Sequence, residues 1–290
     1  MKRKTIIIGY TVFIILFFSD CAQQNDFPVL KGPYLGQKPP GKTPEKFAPG
    51  FVSLPTNQEF SCAFTPDGKE LYFTRRIDNK PNILFTKEGK NGWSVPKPAP
   101  FASDFMDHEP FVTYDGQRLF WGSERPTPEG EEKYAIWYVD RTETGEWGNP
   151  KFFRFDAMYA TATREGNLYY TGFDKAGDIF RVEYSEGKYQ EAENVGAPIN
   201  TEKNELHPLI APDESWIIYD PWDESFGAYI SFRLSDGSWT NPMRMDEKLH
   251  MSGWAFLLSP DSKYLFFSSD GDIYWVDARI IEDLKPKELK

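Results

Sequence analysis

The chain has 290 residues, of which 40% are apolar and 27% charged, which indicates a folded protein rather than a disordered one. Its formal net charge of −11 repels phosphates and anionic lipid surfaces, so the composition argues against a protein that binds nucleic acid. With two cysteines and three histidines, neither a disulfide scaffold nor a histidine-rich metal site is expected.

The first 20 residues have the pattern of a signal peptide. Lys2, Arg3 and Lys4 precede an apolar run at 5–18 that is too short to span a bilayer comfortably. Cys21 follows this run and resembles the lipidated cysteine of bacterial lipoproteins, although Asp20 departs from the small residues usual before it. We therefore expect an exported cell-envelope protein, anchored through Cys21 as an outer-membrane lipoprotein that faces the periplasm or the cell surface. The alternative is a plain signal peptide with an incidental cysteine.

Residues 21–45 contain many prolines and glycines, a composition that excludes a helix or a central strand. We expect this segment to be a tether between the lipid anchor and the folded domain. The domain is then expected to span residues 46–281, and a charged tail residues 282–290.

A repeat of about fifty residues organises the chain after the tether. Each copy has an acidic turn followed by an apolar, mostly aromatic strand, as in Pro66-Asp67-Gly68 before the strand at 71–73. The acidic turn residues are spaced 48, 50, 48 and 48 residues apart: Asp67, Asp115, Glu165, Asp213 and Asp261. Periods of this length indicate propeller blades or solenoid units.

The interior of each repeat favours the propeller. A short apolar run precedes the acidic turn, an aromatic strand and a third strand follow, and a second turn leads to a fourth strand that contains a proline in three repeats. Proline is tolerated on an edge strand, where the outermost strand of a blade lies. The pattern predicts an all-β fold, a five-bladed β-propeller of four-stranded antiparallel blades. Because the fifth repeat ends after its third strand, we expect residues 47–53 to complete the last blade and close the ring.

The segments at 64–73 and 258–267 resemble the WD40-like repeat of TolB-type propellers. The segment at 32–50 is similar to the beginning of envelope lipoproteins of this kind. The resemblance covers residues 33–279 and implies the propeller fold and a place in the cell envelope. The sequence shows no counterpart of TolB's N-terminal domain or partner-binding arm, so TolB's role in import is not implied.

The mouth of the central channel is the expected binding site. The first strand of each blade lines the channel, and the loops before it share one face with the loops between the second and third strands. Counting back eight and six residues from the turn acids brings carboxylates and histidines to this face. The expected ligand-binding residues are Glu59, Asp107, His108, Glu109, Asp156, Tyr159, Glu205, His207, Trp222, Trp254, Arg75 and Arg125. In a second interpretation, the acids hold backbone N–H groups or pair with arginines of neighbouring blades.

Three functions remain open at this point. We expect a non-catalytic binding or scaffold propeller that recognises a polar ligand, a glycan or an envelope protein at the mouth, as a monomer without a cofactor or metal. The alternative is a glycoside hydrolase in which Glu205 acts with Glu109 or with Asp107 as the carboxylate pair. The third is a propeller stabilised by a hard cation on the channel acids, for which the sequence contains no dedicated loop motif.

Overall fold

The computed structural model describes residues 27–130, 133–173, 177–221 and 227–289. The predicted signal peptide at 1–20, the predicted lipidation site Cys21 and Trp222 lie outside these residues. Within the described ranges, no helix is both long enough and apolar enough to cross a membrane.

Short strands form five antiparallel sheets in the described part of the chain. Before the first sheet lie a 3-10 turn (Pro33–Gly36) and strand β1 (Glu45–Lys46). Blade 1 contains β2 (Glu59–Phe64), β3 (Glu70–Ile77), β4 (Lys80–Gly89), β5 (Gly92–Trp93) and β6 (Lys97–Pro98). Blade 2 contains β7 (Asp107–Val112), β8 (Arg118–Ser123), β9 (Ala135–Asp140) and β10 (Lys151–Phe155). Blade 3 contains β11 (Ala157–Ala162), β12 (Leu168–Gly172), β13 (Asp178–Ser185) and β14 (Lys188–Asn194).

Blade 4 contains β15 (Glu205–Ile210), β16 (Trp216–Pro221), β17 (Tyr229–Phe232) and β18 (Met243–Arg244). A helical turn, α1 (Asp246–Leu249), leads to blade 5, which contains β19 (Trp254–Leu258), β20 (Tyr264–Ser269) and β21 (Asp272–Asp277). The chain ends with α2 (Ile280–Leu284) and a 3-10 turn (Lys287–Leu289), which lie at the end of the domain and in the predicted charged tail.

The five sheets stand around one axis as the blades of a propeller. The innermost strands β2, β7, β11, β15 and β19 each pack against the next, and β19 packs against β2. Within a blade, consecutive strands pair antiparallel, except that in blade 1 both β5 and β6 pair with β4. The predicted all-β, five-bladed propeller is therefore confirmed.

The fifth blade takes its outer strand from the beginning of the described chain. Strand β1 pairs antiparallel with β21, and the N–H of Phe47 donates to the carbonyl of Ile273 at 2.8 Å. Closure by the N-terminal segment is confirmed, but the pairing residues are 45–46 rather than 47–53. The chain turns away after Phe47 because Ala48 has a φ of 41° and Pro49 has no N–H to donate.

The segment at 27–44, predicted as part of the tether, lies against blades 1 and 5. The N–H of Trp93 donates to the carbonyl of Leu30 at 2.8 Å, and its indole N–H donates to the carbonyl of Gly32 at 2.9 Å. The ring of Tyr34 packs edge-on against Phe64, with the centroids 5.4 Å apart. Hydrogen bonds and aromatic contacts therefore hold this proline-rich segment to the domain.

Every innermost strand has a bulge at the same position, six residues before the acidic turn. The bulged residues have φ values between 47° and 59°: Ser61, Glu109, Tyr159, His207 and Ala255. The pairing register shifts at each of these points. Because residues with side chains rarely adopt a left-handed conformation, five occurrences at one repeat position identify a regular element of this propeller. We call these five residues the bulge ring.

Candidate functional site

A cavity of about 620 Å³ opens on the face formed by the loops before the first strands and the loops between the second and third strands. This is the face on which the sequence predicted the channel mouth. The walls are largely aromatic and apolar, and include Phe60, Met106, Tyr134, Met158, Phe173 and Trp254. Polar side chains from blades 2 and 4 form the floor: His108, Glu109, His207 and Asp220. We call these four residues the floor cluster.

Carboxylates and imidazoles alternate along the floor cluster. Nδ1 of His207 lies 2.8 Å from Asp220 Oδ2, and its Nε2 lies 3.2 Å from Glu109 Oε1. Nδ1 of His108 lies 3.0 Å from Glu109 Oε2. All four side chains are buried, so their charges interact at close range with little screening by water.

These contacts set the charges of the floor cluster. Burial opposes the charged form of His207, but the attraction of Asp220 and Glu109 outweighs it and raises the pKa of His207 to about 10. Burial also opposes ionisation of Glu109, but His108 and His207 lower the pKa of Glu109 to about 2. At neutral pH His207 is therefore an imidazolium that lies between the carboxyl groups of Glu109 and Asp220, and burial raises the pKa of Asp220.

Backbone and second-strand groups hold the floor cluster in position. Glu109 and His207 belong to the bulge ring, and their N–H groups donate to Thr74 Oγ1 at 2.9 Å and Thr171 Oγ1 at 3.1 Å on the preceding blades. Asp220 occupies the same position on blade 4 and accepts the N–H of Ala255 at 3.1 Å. One set of interactions between blades therefore fixes both the backbone bulges and the carboxylate beside His207.

His108 is positioned by a glycine. Gly122 lies opposite His108 in the register of β7 and β8, and a Cβ at residue 122 would lie 2.7 Å from Cε1 of the imidazole. Because Gly122 has no side chain, the His108 ring can pack directly against its backbone.

Two buried polar atoms of the floor cluster have no hydrogen-bond partner among the described residues. They are Nε2 of His108 and Oε2 of Glu109. The contact between His108 Nδ1 and Glu109 Oε2 is short, but it is not aligned as a hydrogen bond. Since buried polar atoms are normally satisfied, these two mark positions that an ordered water or a ligand can fill.

Of the residues predicted from the sequence, His108, Glu109, His207 and Trp254 line the cavity. Tyr159 is buried beside them, with its ring edge-on to His207 and the centroids 5.0 Å apart. Its hydroxyl donates to the carbonyl of Phe256 at 2.5 Å. The remaining predicted residues within the described ranges do not line it: Glu59, Asp107, Asp156, Glu205, Arg75 and Arg125.

In blades 1 and 2, an acid and an arginine form an ion pair that holds the loop before the first strand. Glu59 pairs with Arg75 at 2.6 Å, and Arg75 donates to the carbonyl of Val52 at 2.8 Å. Asp107 pairs with Arg125 at 2.9 Å, and Arg125 donates to the carbonyl of Phe101 at 3.0 Å. These contacts match the second interpretation of the sequence in part, because each arginine belongs to the same blade as its acid.

The other two acids outside the cavity also contact loops. Glu205 accepts the N–H of Thr201 at 3.1 Å and its hydroxyl at 2.5 Å, and burial raises the pKa of Glu205. The carbonyl of Asp156 accepts the N–H of Phe173 at 2.9 Å. The ligand-binding role of these residues stays a prediction, and in the structure they hold loops.

The sequence analysis missed Asp220. It lies seven residues after the turn acid of its repeat, where blades 1 and 5 have Thr74 and Ser268 and blade 2 has Gly122. A comparison of the repeats at this second-strand position, rather than only along the first strand, would have singled out the carboxylate and the glycine. At this position Asp220 supplies a carboxylate of the floor cluster, and Gly122 leaves space for the His108 ring.

A second cavity, of about 700 Å³, lies at the outer edge of blades 1 and 2. Its central acid, Glu70, is already paired with Arg141 at 2.5 Å and with Lys87 at 2.8 Å. The guanidinium of Arg141 also lies 3.7 Å from the centroid of the Trp147 ring. Because these groups satisfy one another, the mouth cavity is the better binding site.

Neither a protein-family model nor a curated protein matches this chain. A putative TolB from Agrobacterium tumefaciens is similar in structure, with a TM-score of 0.52 and 19% identity, over 74% of this chain and 72% of that one. TolB from Acinetobacter baumannii has a TM-score of 0.46 and 15% identity, over 76% of this chain and 54% of that one. A periplasmic gluconolactonase from Pseudomonas aeruginosa has a TM-score of 0.47 and 11% identity, over 72% and 64% of the two chains. The chain therefore has a TolB-like β-propeller fold.

Proposed function

We propose that this protein is a non-catalytic binding propeller that takes a polar ligand, part of a glycan or of an envelope protein, into its mouth cavity. The observation that carries the proposal is the pair of unsatisfied buried atoms, His108 Nε2 and Glu109 Oε2, at the floor of that cavity. A buried polar atom without a partner costs about 1–3 kcal/mol. A ligand that bonds to these atoms recovers this free energy, whereas ordinary core packing does not.

The walls support the same proposal. The rings of Phe60 and Trp254 lie 5.3 Å apart, and Trp254 also lies 5.4 Å from the His207 ring. Aromatic faces beside a polar floor are typical of small-molecule and side-chain pockets.

The hydrolase alternative has less support. A glycoside hydrolase needs two carboxylates at the substrate, one of them with a raised pKa to act as general acid. Asp107 and Glu205 lie outside the cavity and are bonded to their own loops. The two histidines lower the pKa of Glu109 to about 2, which is unsuitable for an acid that must hold a proton near neutral pH.

We also propose that the protein is exported and held in the cell envelope through a lipid on Cys21. The support is the basic start, the apolar run and the position of the cysteine.

A glycan array together with a pull-down from envelope extracts tests the binding proposal on the full-length protein in detergent. We expect the captured ligand to be lost by Trp254→Ala and by Glu109→Gln, and kept by Glu191→Gln, which changes an exposed acid on blade 3. Capture that is the same in all three variants would show that the ligand binds elsewhere. Hydrolysis of the arrayed glycans would favour the enzyme instead.

A further inference from the structure

We propose that the mouth cavity binds an organic cation that carries N–H donors, a primary ammonium, amidinium or guanidinium group on an apolar body. This inference rests on the proposed function, since it names the ligand class of the same cavity.

The charge of the floor cluster is the first observation. The carboxyl groups of Glu109 and Asp220 lie on either side of the imidazolium of His207. Oε2 of Glu109 has no hydrogen-bond partner among the described residues, and a buried carboxylate needs a partner of opposite sign. Arg76, a cation at the edge of the cavity, instead lies over the Phe60 ring at 5.7 Å and donates to the carbonyl of Asn79 at 3.4 Å.

The hydrogen-bonding capacity of the two unsatisfied atoms is the second observation. A carboxylate oxygen such as Glu109 Oε2 can only accept. The carboxylate of Glu109 lies beside Nδ1 of His108, and when that nitrogen carries the ring proton, Nε2 is an acceptor. A single group that donates to both atoms must carry at least two hydrogens. An ammonium or an amidinium does so and also brings a positive charge to the carboxylate of Glu109, whereas a hydroxyl supplies one hydrogen and no charge.

The walls are the third observation. The aromatic rings of Trp254, Phe60 and Tyr134 lie around the floor, and cations bind favourably to such ring faces. Tyr134 and Phe173 remain 41% and 37% exposed at the edge of the cavity. They offer apolar contact to whatever carries the cation, either a small amine or the lysine or arginine side chain of a polypeptide.

Calorimetric titration at pH 8 tests the inference on the full-length protein in detergent. The probes are benzylamine, benzamidine, benzyltrimethylammonium, benzyl alcohol and a capped peptide with one arginine. We expect benzylamine or benzamidine to bind about tenfold or more tightly than benzyl alcohol and benzyltrimethylammonium, because only the first two offer N–H donors with a positive charge. Binding of the peptide in preference to the small amines would identify a polypeptide ligand, and the reverse would identify a small molecule.

Two variants assign the binding to the floor cluster. Glu109→Gln should weaken benzylamine or benzamidine about tenfold or more, and Glu191→Gln should leave the affinity unchanged. Imidazole ¹⁵N NMR of the unaltered protein gives a second readout, because the Nε2 signal of His108 should move when benzylamine binds. This measurement holds even where Glu109→Gln fails to fold.

The outcomes separate this inference from the proposed function. Equal affinity for benzyltrimethylammonium and benzylamine would overturn the requirement for N–H donors. Capture of a neutral glycan that Trp254→Ala abolishes, with no binding of the cations, would overturn the inference and leave the proposed function intact. Absence of any ligand that depends on Trp254 or Glu109 would overturn both.

Discussion

At the residue scale, the feature that shapes the site is one imidazolium between two carboxylates. His207 belongs to the bulge ring, so its side chain is aimed by a left-handed backbone rather than by ordinary strand geometry. Its two ring nitrogens contact carboxylates from different blades, Glu109 of blade 2 and Asp220 of its own blade 4. Removing one partner of a buried charged group typically costs about 3–5 kcal/mol, so we expect the floor cluster to contribute to stability as well as to the proposed binding.

From the contacts of His207 with Glu109 and Asp220, we expect the stability of the protein to depend on pH. Its pKa is about 10 in the folded protein and 6.5 for a free side chain, so its stabilising contribution is complete below pH 6.5 and is lost as pH rises to about 10. We expect the melting temperature of the wild type to exceed that of His207→Gln by an amount that shrinks over this range. Each kcal/mol lost corresponds to about 2–4 °C. A difference in melting temperature that does not change with pH would contradict this assignment.

Gly122 gives a second test at this scale. Gly122→Ala should lower the free energy of unfolding in urea by about 1–3 kcal/mol, because the new methyl group would overlap the His108 ring. Gly41→Ala is the matched control, because a Cβ there meets nothing within 4 Å. The two variants would be equally stable if the His108 ring were free to move away at no cost.

At the scale of elements, the outer strand of blade 5 and the loops before the first strands are held by few, specific contacts. Strand β1 has only two residues, yet the next residue, Phe47, is completely buried against Phe266 and Trp275 at ring distances of 5.0 and 5.2 Å. One aromatic side chain thus supplies the attachment that two backbone pairs alone would not.

Phe47→Ala should therefore lower the free energy of unfolding by about 3–5 kcal/mol, the usual cost of removing a buried phenylalanine. Phe155→Ala, at a phenylalanine that is 53% exposed on blade 2, should change it by less than about 1 kcal/mol. Urea unfolding of both proteins measures the difference. Similar values for the two would show that closure of the ring does not depend on Phe47.

The Asp107–Arg125 pair leads to a prediction about the loop before blade 2. Asp107→Asn leaves the buried Arg125 without its counter-charge, so we expect a loss of about 3–5 kcal/mol in the free energy of unfolding. Asp104→Asn, an exposed neighbour, should be near neutral. If Asp107 served only a ligand, its substitution would leave thermal unfolding unchanged.

At the scale of the whole molecule, the fold could be predicted because the sequence motif of each blade repeats at a regular spacing and depends on contacts between residues close in sequence. The turn acids recur at nearly constant spacing, and at Asp67 the carboxylate bonds to the Thr65 hydroxyl at 2.6 Å and to the Lys69 N–H at 3.1 Å. A short-range motif of this kind is visible in the sequence. Counting back from the turn acids then predicted the position of the channel mouth, with Glu109 and His207 on the same face.

The role of each polar residue could not be predicted in this way because it depends on contacts across the sheet and between blades. Glu59 and Glu109 are both acids before an acidic turn, but one meets Arg75 and the other meets His207. A spacing of eight or six residues does not show which partner each acid finds. Asp220 was missed for the same reason, since its partner lies on a different strand.

Lipid anchoring is a prediction about the whole molecule. We expect Cys21→Ser to move the protein from the membrane fraction to the soluble fraction of cells, because the lipid would be the only membrane attachment that the sequence suggests. Fractionation followed by immunoblotting measures this, with Cys62→Ser, a change at a buried cysteine of blade 1, as the control. Retention of Cys21→Ser in the membrane would contradict the anchor.

The bulge ring has a consequence for the redesign of this protein. Serine, glutamate, tyrosine, histidine and alanine all occupy the same backbone conformation, and in four blades a side chain of the preceding blade holds it by accepting the N–H. In these four blades, a side chain of the preceding blade therefore holds the backbone conformation of the bulge residue. The chemistry of the bulge side chain is set separately, by the residue type in the blade itself. The side chains of Ala255 and Ser61 can therefore be exchanged while Asp220 and Ser268, which accept their N–H groups, stay untouched.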